Sequence, residues 1–513
     1  MRDIVNAQVT SAMAGNSEPL RGAAKSSLGV LVVAWCIFVA GIVFTFAASA
    51  SSSAFFLLGV IFAGALMLQL VFTTRPAEMI LLASLFCVVF NATYHPVFGA
   101  FLALEGEAAA VLRFSLGVRS AWYAAALLLI CWNLARRGDS QQLKSMATVV
   151  ALCFACVVIG ALLSRAPLDA RITYALNSFL PTFATVFCIG CICVFPALNG
   201  RDGNFLLQLI FFATGLALLY FLLLPETYDF FRPDLASFLR GRPGEYILKG
   251  EYDPSWGTRI YGFETNRFVG TFPDPIIAGY FLASISFVLL VGRKYKMASW
   301  MLLLLLLSMS KGAWLFLAQA LILYGCALRW RRALLPMTLI LACVQLAAAS
   351  VFDASNRMHL LGLQGGLLSL LHGGPVGLVL GYGIGEGGNL ARAYVAGGAW
   401  GAGWLASGSE SGVGVFAHQL GLVGVALMGV LVLRFFGVTR SELGKLSPQG
   451  QIMPDAGRAI IAIEGLLMSL MINSLLQENC INASVLSSVL LGAVLLRSVV
   501  DNPPSTSAKI SVA

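Results

Sequence analysis

Arg293-Lys294-Tyr295-Lys296, an apolar block from 298 to 328 broken midway at Ser308-Met309-Ser310-Lys311-Gly312, and then Arg329-Trp330-Arg331-Arg332: this stretch decides how the chain folds. A membrane-crossing helix takes about 20 apolar residues, so the block is long for one crossing and short for two. Positive charge settles the count. Lysine and arginine collect on the cytoplasmic side of short loops, and both flanks of the block are basic, so it should cross and return as a short hairpin tipped by the Ser-Lys-Gly sequence.

Working outward, apolar runs at 28 to 48, 54 to 72, 78 to 100, 118 to 135, 146 to 163, 172 to 196, 204 to 224 and 275 to 292 precede the block, and 333 to 352, 413 to 437, 458 to 476 and 481 to 499 follow it. Their lengths predict an all-α polytopic membrane protein of about 12 to 14 transmembrane helices. Composition agrees. Of 513 residues, 58% are hydrophobic and 11% charged, with a mean hydropathy of +0.85, far from the roughly 25% charged of soluble domains. The net charge of +9 sits in short loops between apolar runs, which sets orientation and gives no footprint for nucleic acid.

The expected organisation is a cytoplasmic tail over 1 to 27, without a convincing cleavage site behind it, and an N-terminal bundle over 28 to 224. A first large outer loop covers 225 to 274, central helices with the hairpin 275 to 352, and a second, glycine-rich outer loop 353 to 412. C-terminal helices cover 413 to 499 and a tail 500 to 513. With both termini inside, the two loops and the hairpin tip share the outer face. Between Pro225 and Gly270 the first loop balances six basic against seven acidic residues, so it does not violate the charge rule. Its Trp256 and Tyr261 could stack on sugar rings or anchor the loop on the bilayer. The second holds 17 glycines with Trp400 and Trp404; such a chain should pack no core of its own and reads as mobile or wrapped around a ligand. Within it, Gly381 to Gly388 reads as a flexible turn, because no strand precedes it to make a nucleotide-binding unit.

Charge at a membrane edge is costly and needs a reason. Arg267 closes the first loop and runs straight into a hydrophobic segment. Around it on the outer face stand Arg165, Arg171, Arg259, Lys311 and Arg357, with the acid Glu410. Several cations against one acid point to an anionic ligand, and the arginine fork suits phosphate oxygens. A lipid diphosphate would lie at this depth. Snorkelling heads or ion-pair partners are the plainer reading of any single arginine. No metal-binding pattern stands out: the histidines are 95, 359, 372 and 418, without helical pairing. His418, inside an apolar helix, reads as a satisfied interior residue, while His359 and His372 remain candidates. The cysteines lie almost wholly in apolar runs and read as inert buried thiols.

Four stretches together resemble the O-antigen ligase and Wzy-type polysaccharide polymerase superfamily of bacteria. Arg267-Phe-Val-Gly-Thr-Phe-Pro-Asp-Pro275 is similar to its Arg-x-x-Gly-x-Phe-x-x-Pro-Asn element, with Ile276 where asparagine is common. Ser308-Met-Ser-Lys-Gly-Ala-Trp314 resembles its Ser-Arg-Gly-Ala turn, with Lys311 for arginine. Arg357 followed by Gly381-Tyr-Gly-Ile-Gly385 resembles its arginine and Gly-x-Gly-x-Gly run. Glu410-Ser411 ahead of Gly421-Leu-Val-Gly424 has the spacing of its His-Asn pair, with glutamate in place of histidine. The resemblance spans about 225 to 437.

It implies a metal-independent, inverting glycosyltransferase of the GT-C type in the bacterial inner membrane, without a cofactor. Its donor would be an oligosaccharide on undecaprenyl diphosphate, used at the periplasmic face, and a chain-length regulator is an expected protein partner. In that frame Arg267, Arg357, Lys311 and Arg259 would hold the diphosphate, with Arg165 and Arg171 as further anion-binding candidates. Trp256, Tyr261, Trp400 and Trp404 would meet the glycan. Glu410 would take the proton of the attacking hydroxyl. The glutamate favours a polymerase over a ligase that transfers glycan to lipid A core; a lipid-linked glycan transporter is the reading from another class.

Overall fold

The computed structural model describes residues 76 to 92, 123 to 133, 141 to 195, 198, 200 to 223, 257 to 260, 263 to 268, 272, 275 to 351, 354 to 388, 408, 410 to 446 and 455 to 500. The chain divides into Met1–Arg75, which lies outside the described residues, and Pro76–Ala513, to which everything below belongs.

The structure is almost wholly helical. In order come α1 (Pro76–Ala92), α2 (Tyr123–Asn133), α3 (Gln141–Leu163), α4 (Leu168–Val194, with a π-turn at Ala175–Phe179) and α5 (Gly200–Leu223). A short antiparallel hairpin, β1 (Gly257–Ile260) and β2 (Phe263–Asn266), interrupts the first outer loop. Then follow α6 (Pro275–Val291), α7 (Tyr295–Ser308), α8 (Lys311–Arg329), α9 (Leu334–Val351), α10 (Ala354–His372) and α11 (Gly374–Leu380). Last are α12 (Gly412–Leu446), α13 (Asp455–Ser474) and α14 (Ala483–Val500), with a 3-10 turn at Glu478–Ile481 between the last two.

Among the described residues, seven helices are long and apolar enough to cross a membrane. Their packing obeys lipid rules, since the bilayer tolerates only helices whose backbone bonds are internal and leaves apolar side chains free to face outward. Leu152, Ile159 and Leu162 on α3, and Leu335, Leu339 and Val344 on α9, are exposed. In water such ridges would drive association; in hydrocarbon they are the solvent-facing surface. At the other extreme every residue of α14 is buried, because α1, α4, α5, α6 and α13 all pack on it. Its serines remain tolerable there because Ser487 and Ser488 donate to the Ser484 carbonyl, and Ser498 to that of Leu495. The ten described cysteines are free.

The apolar block breaks where the sequence places the break. Met309 takes the left-handed conformation (φ 50°) that ends α7, and α8 begins at Lys311. Both helices pack on α6.

Two expectations need correction. The segment 353 to 412 is not simply an open loop, since α10 and α11 occupy its first half. Glycine here serves close packing: a Cβ on Gly366 of α10 would stand 2.3 Å from the Gly414 carbonyl oxygen of α12. Nor is Gly381 to Gly388 a flexible turn. Tyr382 and Gly383 donate to the His418 and Gln419 carbonyls, and Ile384 to that of Gly160. The Gln419 side chain closes on Gly385 N–H (2.7 Å) and the Gly387 carbonyl (2.7 Å). The run is docked where α12 itself breaks, at Gly421 (φ 63°). His418 is the satisfied interior residue the sequence suggests, bonded to Ser369 Oγ (2.9 Å) and stacked on Tyr382.

Candidate functional site

The carbonyls of a helix's last turn lack internal partners and carry the negative end of its dipole. Arg267 meets that need at α7: its Nε donates to the Ser308 carbonyl (3.0 Å) and Nη2 to that of Met309 (3.4 Å). The next residue, Phe268, is buried and donates its N–H to the Leu307 carbonyl (2.9 Å). The guanidinium is thereby fixed at the α7–α8 tip, beside Lys311. The first turn of α8 adds the positive end of a 19-residue helix. The tip thus joins the C-terminal carbonyls of α7, capped by Arg267, to the N-terminus of α8, where Lys311 is exposed; a helix N-terminus with a basic first residue suits an anion.

Glu410 is held by a second set of contacts. Ser411 caps α12, its Oγ accepting the Gly414 N–H (2.9 Å) and donating to the Leu475 carbonyl (2.7 Å). Glu410, just outside the cap, adopts φ 71°, a left-handed conformation that non-glycine residues take only when their surroundings enforce it. What enforces it is Glu478, a buried acid in the turn between α13 and α14. Its Oε2 accepts the Glu410 N–H (3.2 Å) and its Oε1 the Tyr174 hydroxyl (2.7 Å). The Glu410 carboxylate lies 3.4 Å from His359 Nδ1, whose Nε2 is 3.3 Å from Gln477 Nε2. Below the turn, burial pushes the Cys480 thiol up to about 12, so it stays protonated and donates to Tyr280 Oη (3.2 Å).

Gln477 joins the two sets. Gly312, one residue into α8 from Lys311, faces the Gln477 side chain, which an added Cβ would meet at an ordinary 3.5 Å, and lies closer to Tyr280 Oη, which it would meet at 3.1 Å. A series of contacts therefore runs from Gln477 through His359 to Glu410, and on to Glu478 and Tyr174, while Gly312 of the first turn of α8 faces its Gln477 end.

The remaining candidates fall differently. Arg171 spends its guanidinium on the Ala166 (2.6 Å) and Ala161 (3.3 Å) carbonyls, tying α4 to the end of α3. Arg165 is exposed; its backbone N–H and the Ser164 hydroxyl are both accepted by Glu386 of the docked glycine run. Arg357 is exposed on α10, two residues before His359 and so on the opposite face of the helix. Arg259 lies on β1, paired in register with Glu264. Trp256, Tyr261, Trp400 and Trp404 lie outside the described residues. Among the described residues no three of His, Cys, Asp or Glu converge to hold a metal ion.

Sequence reading missed Glu478, Gln477 and Tyr174. The available signal was an acid, Glu478, in the short connection between two apolar helices. Compared with family models, curated proteins and solved structures, the chain matches none.

Proposed function

We propose that this chain is a membrane glycosyltransferase of the polymerase type, joining oligosaccharide repeat units carried on undecaprenyl diphosphate, for O-antigen or exopolysaccharide. In this reading it has about 12 to 14 transmembrane helices in a GT-C-like arrangement and acts at the periplasmic face of a bacterial inner membrane. The observation that supports the reading is that Gln477, which meets the His359 partner of Glu410, also faces Gly312 in the first turn of the helix that Lys311 begins.

The reaction needs two things: positive charge where a diphosphate departs and a base where a hydroxyl attacks. The acceptor hydroxyl oxygen bonds to the anomeric carbon as the bond from that carbon to the diphosphate oxygen breaks, its electron pair staying on the diphosphate. Arg267, Lys311 and the α8 N-terminus stabilise that developing charge. Glu410 takes the hydroxyl proton. Arg171 and Arg267 each give two guanidinium nitrogens to backbone carbonyls; Arg267 is assigned to the diphosphate because its carbonyls belong to the tip that leads into Lys311, whereas those of Arg171 are Ala161 and Ala166, so Arg171 serves as scaffold.

Purified protein given undecaprenyl-diphosphate repeat units from its host tests the reading. A ladder of longer lipid-linked glycans supports it. Transfer only when core lipid is added indicates a ligase, and passage across a vesicle membrane without a new glycosidic bond indicates a transporter; either result displaces the polymerase.

A further inference from the structure

The Glu410 carboxylate does not stand alone. His359 arrives from α10, and each of its ring nitrogens meets a group that dictates where its proton sits. Nδ1 lies 3.1 Å from the Glu410 carbonyl oxygen and 3.4 Å from the same residue's Oε2. Both are acceptors, so Nδ1 must carry hydrogen. Nε2 lies 3.3 Å from Gln477 Nε2, an amide nitrogen that can only donate, so Nε2 must present its lone pair. The two contacts demand one and the same form: a neutral imidazole protonated on Nδ1.

With both nitrogens engaged, the ring has no position from which to take a proton from substrate. It can instead fix the acid. Donating to the Glu410 carbonyl with Oε2 only 3.4 Å away, it holds that residue's backbone and one carboxylate oxygen, and leaves Oε1 without a partner among the described residues, on a side chain that is 23% exposed. We infer that His359 is a positioning residue. Gln477 holds it as the Nδ1–H tautomer, and in that form it orients Glu410 so that Oε1 receives the acceptor hydroxyl proton. The inference deepens the glycosyl-transfer reading and rests on it for its catalytic consequence. The tautomer stands apart from that reading.

The chain has four histidines, so the imidazole ¹⁵N spectrum of the full-length protein in nanodiscs can be assigned by the resonance lost in His359→Asn. At about pH 8, where an ordinary imidazole is neutral, His359 should appear as the Nδ1–H tautomer, and Gln477→Leu, which leaves the Glu410 acceptors at Nδ1 in place, should weaken that preference without reversing it. An Nε2–H tautomer in the unaltered protein overturns the inference whether or not any activity is found.

The second arm is ladder synthesis by the same preparations. Asparagine keeps an N–H near the position of Nδ1 and has no ionisable proton, whereas leucine keeps only bulk. His359→Leu should lower kcat on the order of 10²-fold, as for a catalytic group left misplaced, with the KM for repeat-unit lipid little changed. His359→Asn should recover most of that loss. If asparagine is as inactive as leucine, the imidazole itself moves protons and the positioning role is wrong. If leucine keeps the full rate, the contact has no function. Should His359→Leu fail to fold, Gln477→Leu carries the same kcat test. No ladder from the unaltered protein removes the glycosyl-transfer reading and leaves the tautomer result to stand or fall alone.

Discussion

Replacing Gly366 by alanine should uncouple the seat of Glu410 without removing a polar group. The new Cβ would lie 2.3 Å from the Gly414 carbonyl oxygen and 2.5 Å from its Cα, where real contacts essentially never fall below 3.0 Å. Both obstacles are backbone, so α10 and α12 must part by roughly 0.7 Å or bend around the methyl. His359 sits two turns away on the same helix as Gly366, and Glu410 is bound to the cap of α12. The parting therefore enters the 3.4 Å gap between them. Overpacking costs about 1–3 kcal/mol, while alanine for glycine in a helix returns about 1 kcal/mol, so stability should fall only modestly. Activity should fall more, about 10- to 100-fold, as expected when a catalytic group moves by a fraction of an ångström to one ångström. The assay is the initial rate of ladder growth in nanodiscs, with thermal unfolding alongside. Gly325→Ala on α8, where a Cβ meets nothing within 4 Å, is the control and should match or exceed the unaltered protein in stability. A Gly366→Ala enzyme with an undiminished rate would show that the α10–α12 spacing does not set the site.

Glu478→Ala removes the acceptor for both the Tyr174 hydroxyl and the Glu410 N–H. At about 1.5–3 kcal/mol for each bond to a charged acceptor, thermal unfolding should shift down clearly, and Tyr174→Phe should give a smaller shift. Glu410→Gly and Glu410→Ala should both abolish ladders, but glycine should be the more stable by about 0.5–1 kcal/mol. Left-handed backbone costs a non-glycine residue about 1–2 kcal/mol, less the roughly 0.4–1 kcal/mol of chain entropy that glycine brings; chemical denaturation in mixed micelles measures the difference. Arg267→Lys keeps the charge and loses the fork that spans the Ser308 and Met309 carbonyls, so undecaprenyl diphosphate binding, read by microscale thermophoresis, should weaken on the order of 10-fold. Equal binding by the lysine variant counts against the fixed guanidinium.

The helices were legible because the properties that make them are local. Residues 275 to 292 and 333 to 352 read as crossings; both are helical, as α6 (Pro275–Val291) and α9 (Leu334–Val351), and the segment that contains α9 is long enough to span while α6, at 17 residues, falls short. The break at Ser308 was readable from five residues. Composition misled where one residue type has two uses. The glycines of 353 to 412 count as loop formers by number, yet Gly362 and Gly366 are four apart and share one face of α10, where they admit the backbone of α12 at Gly414. Spacing rather than abundance was the signal. At the site, Arg267, Lys311 and Glu410 could be singled out because each is a charge at the edge of an apolar run. Glu478 could not, because its meaning depends on Tyr174, 304 positions away. His359 acquires its role only from the fold that sets it against Glu410, 51 positions along the chain.

The same close contacts bear on whether the molecule transfers glycan or moves it. Alternating access requires one group of helices to rock against another between two packings. Here α10 and α12 meet backbone to backbone at Gly366 and Gly414, and α11 and α12 do so at Gly381 and Gly421, each too close for a methyl group. Deeper in the bundle Gln319 of α8 bonds Gln345 of α9 (2.5 Å) and Asn473 of α13 (2.6 Å), and Tyr280 of α6 reaches Asn473 (3.3 Å). Further along α13, the fully buried Glu464 pairs with Arg331 (2.8 Å) and accepts the Thr439 hydroxyl of α12. Parting the helices there would strand a buried carboxylate, a cost of about 3–5 kcal/mol. Helices fastened at successive depths by contacts of this kind suit a site whose charges must stay fixed while a bond is made. A transporter would have to break these contacts in each cycle, whereas under the transfer reading they should persist through turnover.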